Sequence, residues 1–259
     1  MADLNNRGYA QGRGMAGTSA PAVDEGLRSY MMRVYNYMAS GLFITGLAAL
    51  ATFWMSVTTD PSMAVARVGD IMLTNVGYAV FVSPLKWVII LAPLAMVFFL
   101  SFRIQKMSVS AAQTAFWAFS LLMGLSLASI FLVYTHNSIA RVFFITAISF
   151  GALSLWGYTT KRDLSGWGSF LFMGLIGIIV ASLVNIFLAS SAMQFVISVI
   201  GVLVFAGLTA YDTQQIKEMY YEGDSTATAG RKAIMGALRL YLDFINLFMM
   251  LLQLFGNRQ

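Results

Sequence analysis

From residue 34 to residue 255 the chain is a succession of apolar runs separated by short polar connections, and this feature decides the class of fold open to it. A helix rises about 1.5 Å per residue, so roughly 20 apolar residues cross a hydrocarbon core about 30 Å thick. Runs of that kind recur along almost the whole sequence. Inside a bilayer every backbone N–H and C=O must find its partner within the protein, which continuous segments achieve as helices. With 59% hydrophobic and only 10% charged residues, against roughly 25% charged in soluble domains, a water-soluble core is excluded. The expectation is an all-α integral membrane protein, a seven-transmembrane-helix bundle.

The spacing predicts helices over about 34–59, 87–102, 110–134, 142–160, 167–189, 195–216 and 233–255, forming one membrane domain over 27–259. Pro93 is read as a kink in the second helix. Ile71 to Leu85 is read as an extracytoplasmic or interfacial segment. The stretch from Leu164 to Tyr211 is too long for one crossing, and Ser190, Ser191 and Gln194 divide it. Residues 1–26, rich in Gly, Asn, Ala and Arg without apolar periodicity, are expected to form a flexible cytoplasmic tail. They lack the apolar core of a removable leader, so the first span is expected to stay as an anchor.

Basic residues orient the bundle. Arg7, Arg13, Arg28, Arg33, Arg103, Lys106, Lys161, Arg162, Lys217, Arg231 and Lys232 fall on one side, and Arg67, Lys86, Arg141 and Arg258 on the other. Eleven against four places the N-terminus in the cytoplasm and the C-terminus outside. Although the net charge is +5, no basic run is dense enough to follow a phosphate backbone, so nucleic acid is not an expected partner. The chain has no cysteine and one histidine, which removes thiol chemistry and most histidine-based catalysis. No catalytic residue, cofactor or enzymatic activity is expected.

Asp243 is the residue that most needs an explanation. It stands ten residues into a span beginning at Ala233, roughly 15 Å along the helix, where an acid costs about 2.5 to 3.5 kcal/mol to insert. It must face the bundle interior and find a partner or a proton. Arg239, one helical turn earlier, offers an ion pair that would neutralise it without further function. Asp212, near the end of the sixth helix, reads by itself as a solvated or capping acid. Brought together by neighbouring helices, however, Asp212 and Asp243 would share a proton and respond to pH. His136 is expected in an outer turn. Asn185 and Asn246 are expected to hydrogen-bond between helices, and Gly166, Gly168, Gly174 and Gly177 to permit close helix packing.

The segments Ala210-Tyr211-Asp212-Thr213-Gln214-Gln215-Ile216-Lys217 and Leu240-Tyr241-Leu242-Asp243-Phe244-Ile245-Asn246-Leu247-Phe248 resemble the transmembrane Bax inhibitor motif family, in its bacterial Bax inhibitor-1-like members. Lys161-Arg162-Asp163-Leu164-Ser165 and Asn185-Ile186-Phe187 extend the likeness across the seven helices and exclude the tail. The resemblance implies a fold with helix seven at its centre, and a pH-sensitive calcium leak in which Asp212 and Asp243 share a proton. It also implies a latching arginine, matched by Arg103 with Lys106 as the alternative, while the family's acid in helix two is replaced near Pro93.

Two functions follow as expectations. The first is a pH-sensing cation leak of the bacterial inner (cytoplasmic) membrane. Calcium is its permeant ion, Asp212, Asp243, Arg103 and Arg239 act in sensing and gating, and the two aspartates form a weak calcium contact. The second is a non-transporting regulator acting through membrane-protein partners such as proteases or stress factors. Lipid is the surrounding partner in both. An intramembrane aspartyl protease is disfavoured, because Tyr241-Leu242 precedes Asp243 where a Gly-x-Gly would be needed and the prolines, at 21, 61, 84 and 93, all lie early.

Overall fold

The computed structural model describes residues 19–258. Seven long helices dominate: α1 (Ser19–Ser56), α2 (Leu85–Arg103), α3 (Val109–Leu127), α4 (His136–Thr159), α5 (Ser165–Leu188), α6 (Ser191–Glu218) and α7 (Thr226–Phe255). All seven are long and apolar enough to cross a membrane. They run alternately up and down. Of the expected tail, residues 1–18 lie outside the described residues, and α1 is helical from Ser19 onward.

Hydroxyl caps set several helix starts. Ser108 accepts from the Ala111 N–H, Ser190 from Met193 and Ser225 from Thr228, each at 3.2 Å. Three helices begin well before their apolar runs, α1 at Ser19 among them. Helix α4 begins at His136, which is therefore a first-turn residue packed against the Phe53 and Phe131 rings and not part of a loop. Helix α7 begins at Thr226, seven residues before the apolar run, because its first two turns are solvated and tied down by polar contacts. The segment after α1 holds a small antiparallel sheet in the order β1-β3-β2, made of β1 (Val57–Thr58), β2 (Ala66–Val68) and β3 (Ile71–Leu73). A short helical turn over residues 75–82 then leads to α2. Gly69, at φ +59°, makes the β2–β3 turn. Pro93 sits within α2 without ending it.

Helix α7 is the axis of the bundle. It packs against α1, α3, α4 and α6, and 67% of its most apolar window is enclosed by protein, against at most 39% in any other span. Tyr241, fully buried, stands edge-on to Phe116 and Phe119 and shares a 2.7 Å hydrogen bond with Thr45. Thr45 also donates to the Ser120 carbonyl, which joins α1, α3 and α7 at one point. The glycines of α5 divide: a Cβ on Gly168 or Gly174 would press on Tyr211 or Val204, whereas Gly166 and Gly177 face open space and pack nothing.

Candidate functional site

The polar centre of the molecule lies between α6 and α7. Helix α6 holds Asp212 in place through the residues that follow it. The Thr213 hydroxyl shares a 2.9 Å hydrogen bond with Ser154 of α4, and Ser154 shares one of 2.7 Å with the Tyr35 hydroxyl of α1. At the next residue, the Gln214 amide donates to the Arg162 carbonyl and accepts from the Leu164 N–H, both at 2.8 Å. Lys217 Nζ donates to the Tyr158 carbonyl at 2.9 Å. The last two turns of α6 are thus clamped to α4 and to the α4–α5 connection. In that connection Asp163 accepts from the Ser165 N–H at 2.8 Å. Hydrogen bonds from the Ser165 side chain and backbone hold the Asp163 carboxyl below its ordinary range.

Helix α7 is fixed at the same end of the bundle. Arg231 donates to the Met107 carbonyl at 3.3 Å, and Lys232 reaches both the Met219 carbonyl at 3.0 Å and Asp224 at 2.5 Å. Among the described residues, Lys232–Asp224 is the one ion pair within 4.0 Å. The Arg231 contact joins α7 to the α2–α3 connection and the Lys232 contacts join it to the α6–α7 connection, and together they set its rotation.

That rotation brings the carboxyls of Asp243 and Asp212 within side-chain hydrogen-bonding reach of each other. Asp243 is buried, and its Oδ2 is enclosed with no hydrogen-bond donor beside it. Two facing carboxyls are both acceptors when ionised, so a hydrogen bond between them requires a proton. Arg239 exerts its charge on both acids, yet its side chain is exposed and makes no ion pair with either. The neutralising Arg239–Asp243 pair is therefore not formed. Arg103 and Lys106 are likewise exposed and unpaired, although Ile104 between them is buried against the bundle and residues 104–106 touch α7.

Other polar residues settle differently. Asn185 donates to Gln194 at 3.2 Å, Gln194 donates to Gln253 at 2.5 Å, and Ser198 donates to Gln253 at 2.9 Å. This carboxamide cluster joins α5, α6 and α7 at the opposite end from the aspartates. Asn246 donates only within its own helix, to the Leu242 carbonyl, so it bridges no helices. The Tyr35–Ser154–Thr213 chain and the Gln214 clamp were not anticipated. Their signal was available as hydroxyls and an amide inside or against apolar spans, where each polar group needs a partner.

These features define a seven-helix integral membrane protein with a two-aspartate centre between its last two helices. The family model described as Inhibitor of apoptosis-promoting Bax1 matches residues 27–259, and the chain belongs to that family. The inner membrane protein YbhL of Escherichia coli K12 is 49% identical over 236 residues, 90% of this chain and 94% of YbhL. A Caulobacter vibrioides protein is 45% identical over 98% of both chains, and RP147 of Rickettsia prowazekii is 45% identical over 91% of this chain and 92% of its own length.

Proposed function

We propose that this protein is a pH-sensitive cation leak, with calcium as the permeant ion, gated by the proton that Asp212 and Asp243 share. The single observation that carries the reading is the placement of two acids in mutual reach across α6 and α7, one of them buried without a donor. A shared proton lets the two helices hold together. Its loss leaves two like charges in contact within a low-dielectric setting and drives them apart. Among the described residues no three metal-ligating side chains of the His, Cys, Asp and Glu set gather, so the pair suits transient contact with a passing cation better than tight storage. Arg103 and Arg239 act as mobile cations that engage the pair in one of its states.

The likeness to YbhL, an inner membrane protein, supports placing this chain in a bacterial inner membrane. The basic residues at the aspartate end of the bundle support a cytoplasmic position for that end. Purified protein in vesicles loaded with a calcium dye tests the reading. Wild-type influx is expected to change with pH, and Asp243→Asn and Asp212→Asn are each expected to abolish that change. Variants with wild-type flux and wild-type pH response refute the gate. No flux from the wild-type protein, together with a stoichiometric membrane-protein partner on purification, establishes the regulatory alternative.

A further inference from the structure

Helices α1 and α4 each pack on α7 but are not packed along each other, and the seam between them is open. Two cavities occupy it. One, of about 650 Å³, runs from Arg28 and Tyr158 past Met31, Met38 and Phe150 to Leu42. The other, of about 370 Å³, continues from Leu42 towards Ile130 and His136 over a floor of Phe244 and Phe248. The two share Leu42, so they form one groove along the side of the bundle. From Arg28 to Leu42 it covers about 21 Å of helix, more than half of a bilayer's hydrocarbon thickness.

We propose that the larger half of this groove binds an anionic phospholipid, with one acyl chain lying along Met31, Met38 and Leu42 and the phosphate at Arg28. The walls are almost wholly apolar, and the methionines can adapt to a flexible chain. Charge at the mouth selects the headgroup. Arg28 lines the groove there, Lys217 sits over the Tyr158 ring at 5.5 Å, and Lys161 and Arg162 are exposed at the end of α4. Each basic group near a membrane surface favours anionic lipid. Asp163, on the same connection, is occupied by Ser165. The one polar patch inside the groove, Tyr35 with Ser154, is satisfied by its own hydrogen bonds and leads through Thr213 to the neighbour of Asp212. This inference does not depend on the leak: a lipid would bind here whether or not the protein conducts.

Gly151 gives the test its tool. It lines the larger cavity, and a Cβ there meets nothing within 4 Å, so a side chain grown from it fills the groove without displacing protein. Gly46 is equally open but lines the smaller cavity. Native mass spectrometry of the full chain, titrated with phosphatidylglycerol or phosphatidylcholine of identical acyl chains, reads the occupancy. Wild-type protein is expected to retain one phosphatidylglycerol in preference to phosphatidylcholine. Arg28→Gln is expected to weaken phosphatidylglycerol binding about fivefold and phosphatidylcholine binding, whose phosphate is offset by its own ammonium, by less, so that the preference between the two narrows. Gly151→Leu is expected to lose both lipids, and Gly46→Leu neither.

Equal retention of the two lipids by the wild type overturns the proposal, as does undiminished retention in Gly151→Leu. A wild-type dimer that Gly151→Leu splits into monomers also overturns it, by showing a second copy in the groove. Should Gly151→Leu fail to fold, the exposed Arg28→Gln decides alone: an unchanged lipid preference refutes the site.

Discussion

The two ends of the α6–α7 pair carry polar clusters of opposite character. At one end Asn185, Gln194, Ser198 and Gln253 hydrogen-bond in a chain, each donor shown meeting a neutral acceptor. At the other, Asp212 and Asp243 face each other as two acceptors, and Asp243 Oδ2 has no donor. Carboxamides carry donor and acceptor on one group, so they satisfy one another at any pH, whereas facing carboxylates need a proton from outside. The difference separates a permanent tie from a junction that solution conditions can change, built on the same two helices.

The largest expected effect breaks the contrast by giving the aspartate end the chemistry of the other: Asp243→Asn removes the pH response of flux altogether. Next comes Gln253→Leu, which deletes the acceptor shared by Gln194 and Ser198. It should cost about 1 to 2 kcal/mol of stability in mixed-micelle unfolding and leave the pH response in place. A Gln253→Leu protein whose flux no longer responds to pH would show that the two ends are one device. Arg239→Gln should move the midpoint of the pH response by less than about one unit, since the exposed guanidinium forms no ion pair.

The smallest effect concerns Asp163, whose carboxyl is held below its ordinary range by Ser165. A depressed carboxyl stabilises the fold above the unfolded-state value near 3.9 and loses that contribution as pH falls through the lower folded-state value. Wild-type protein should therefore melt slightly above Asp163→Asn at neutral pH, and the two curves should converge in acid. A gap that persists in acid would assign the difference to packing.

Much of the architecture was legible because spanning a bilayer constrains sequence so tightly. Seven apolar stretches were enough to expect seven crossings, and the cost of a carboxylate within the last of them singled out Asp243. Element edges were harder to read. Helices α4 and α7 extend past their apolar runs into polar residues whose partners, such as the Met107 carbonyl for Arg231, lie on distant segments. The small sheet was missed because its strands are two or three residues long and hold register through pairs such as Val57 with Leu73. Gly166 and Gly177 looked like packing glycines, but whether a glycine meets a neighbour depends on the rotation of its helix.

Sequence alone determined that this chain lives in a membrane, how many times it can cross, and which acid the bilayer makes costly. Those properties follow from each segment's own transfer energy. The family resemblance already implied α7 as the axis, whereas only the tertiary structure decided that Arg239 is left exposed beside the two facing acids and that α1 and α4 leave a groove between them. These outcomes depend on how each helix is rotated about its axis. Contacts made far along the chain set that rotation, among them Gln214 on residues 162–164 and Arg231 on Met107.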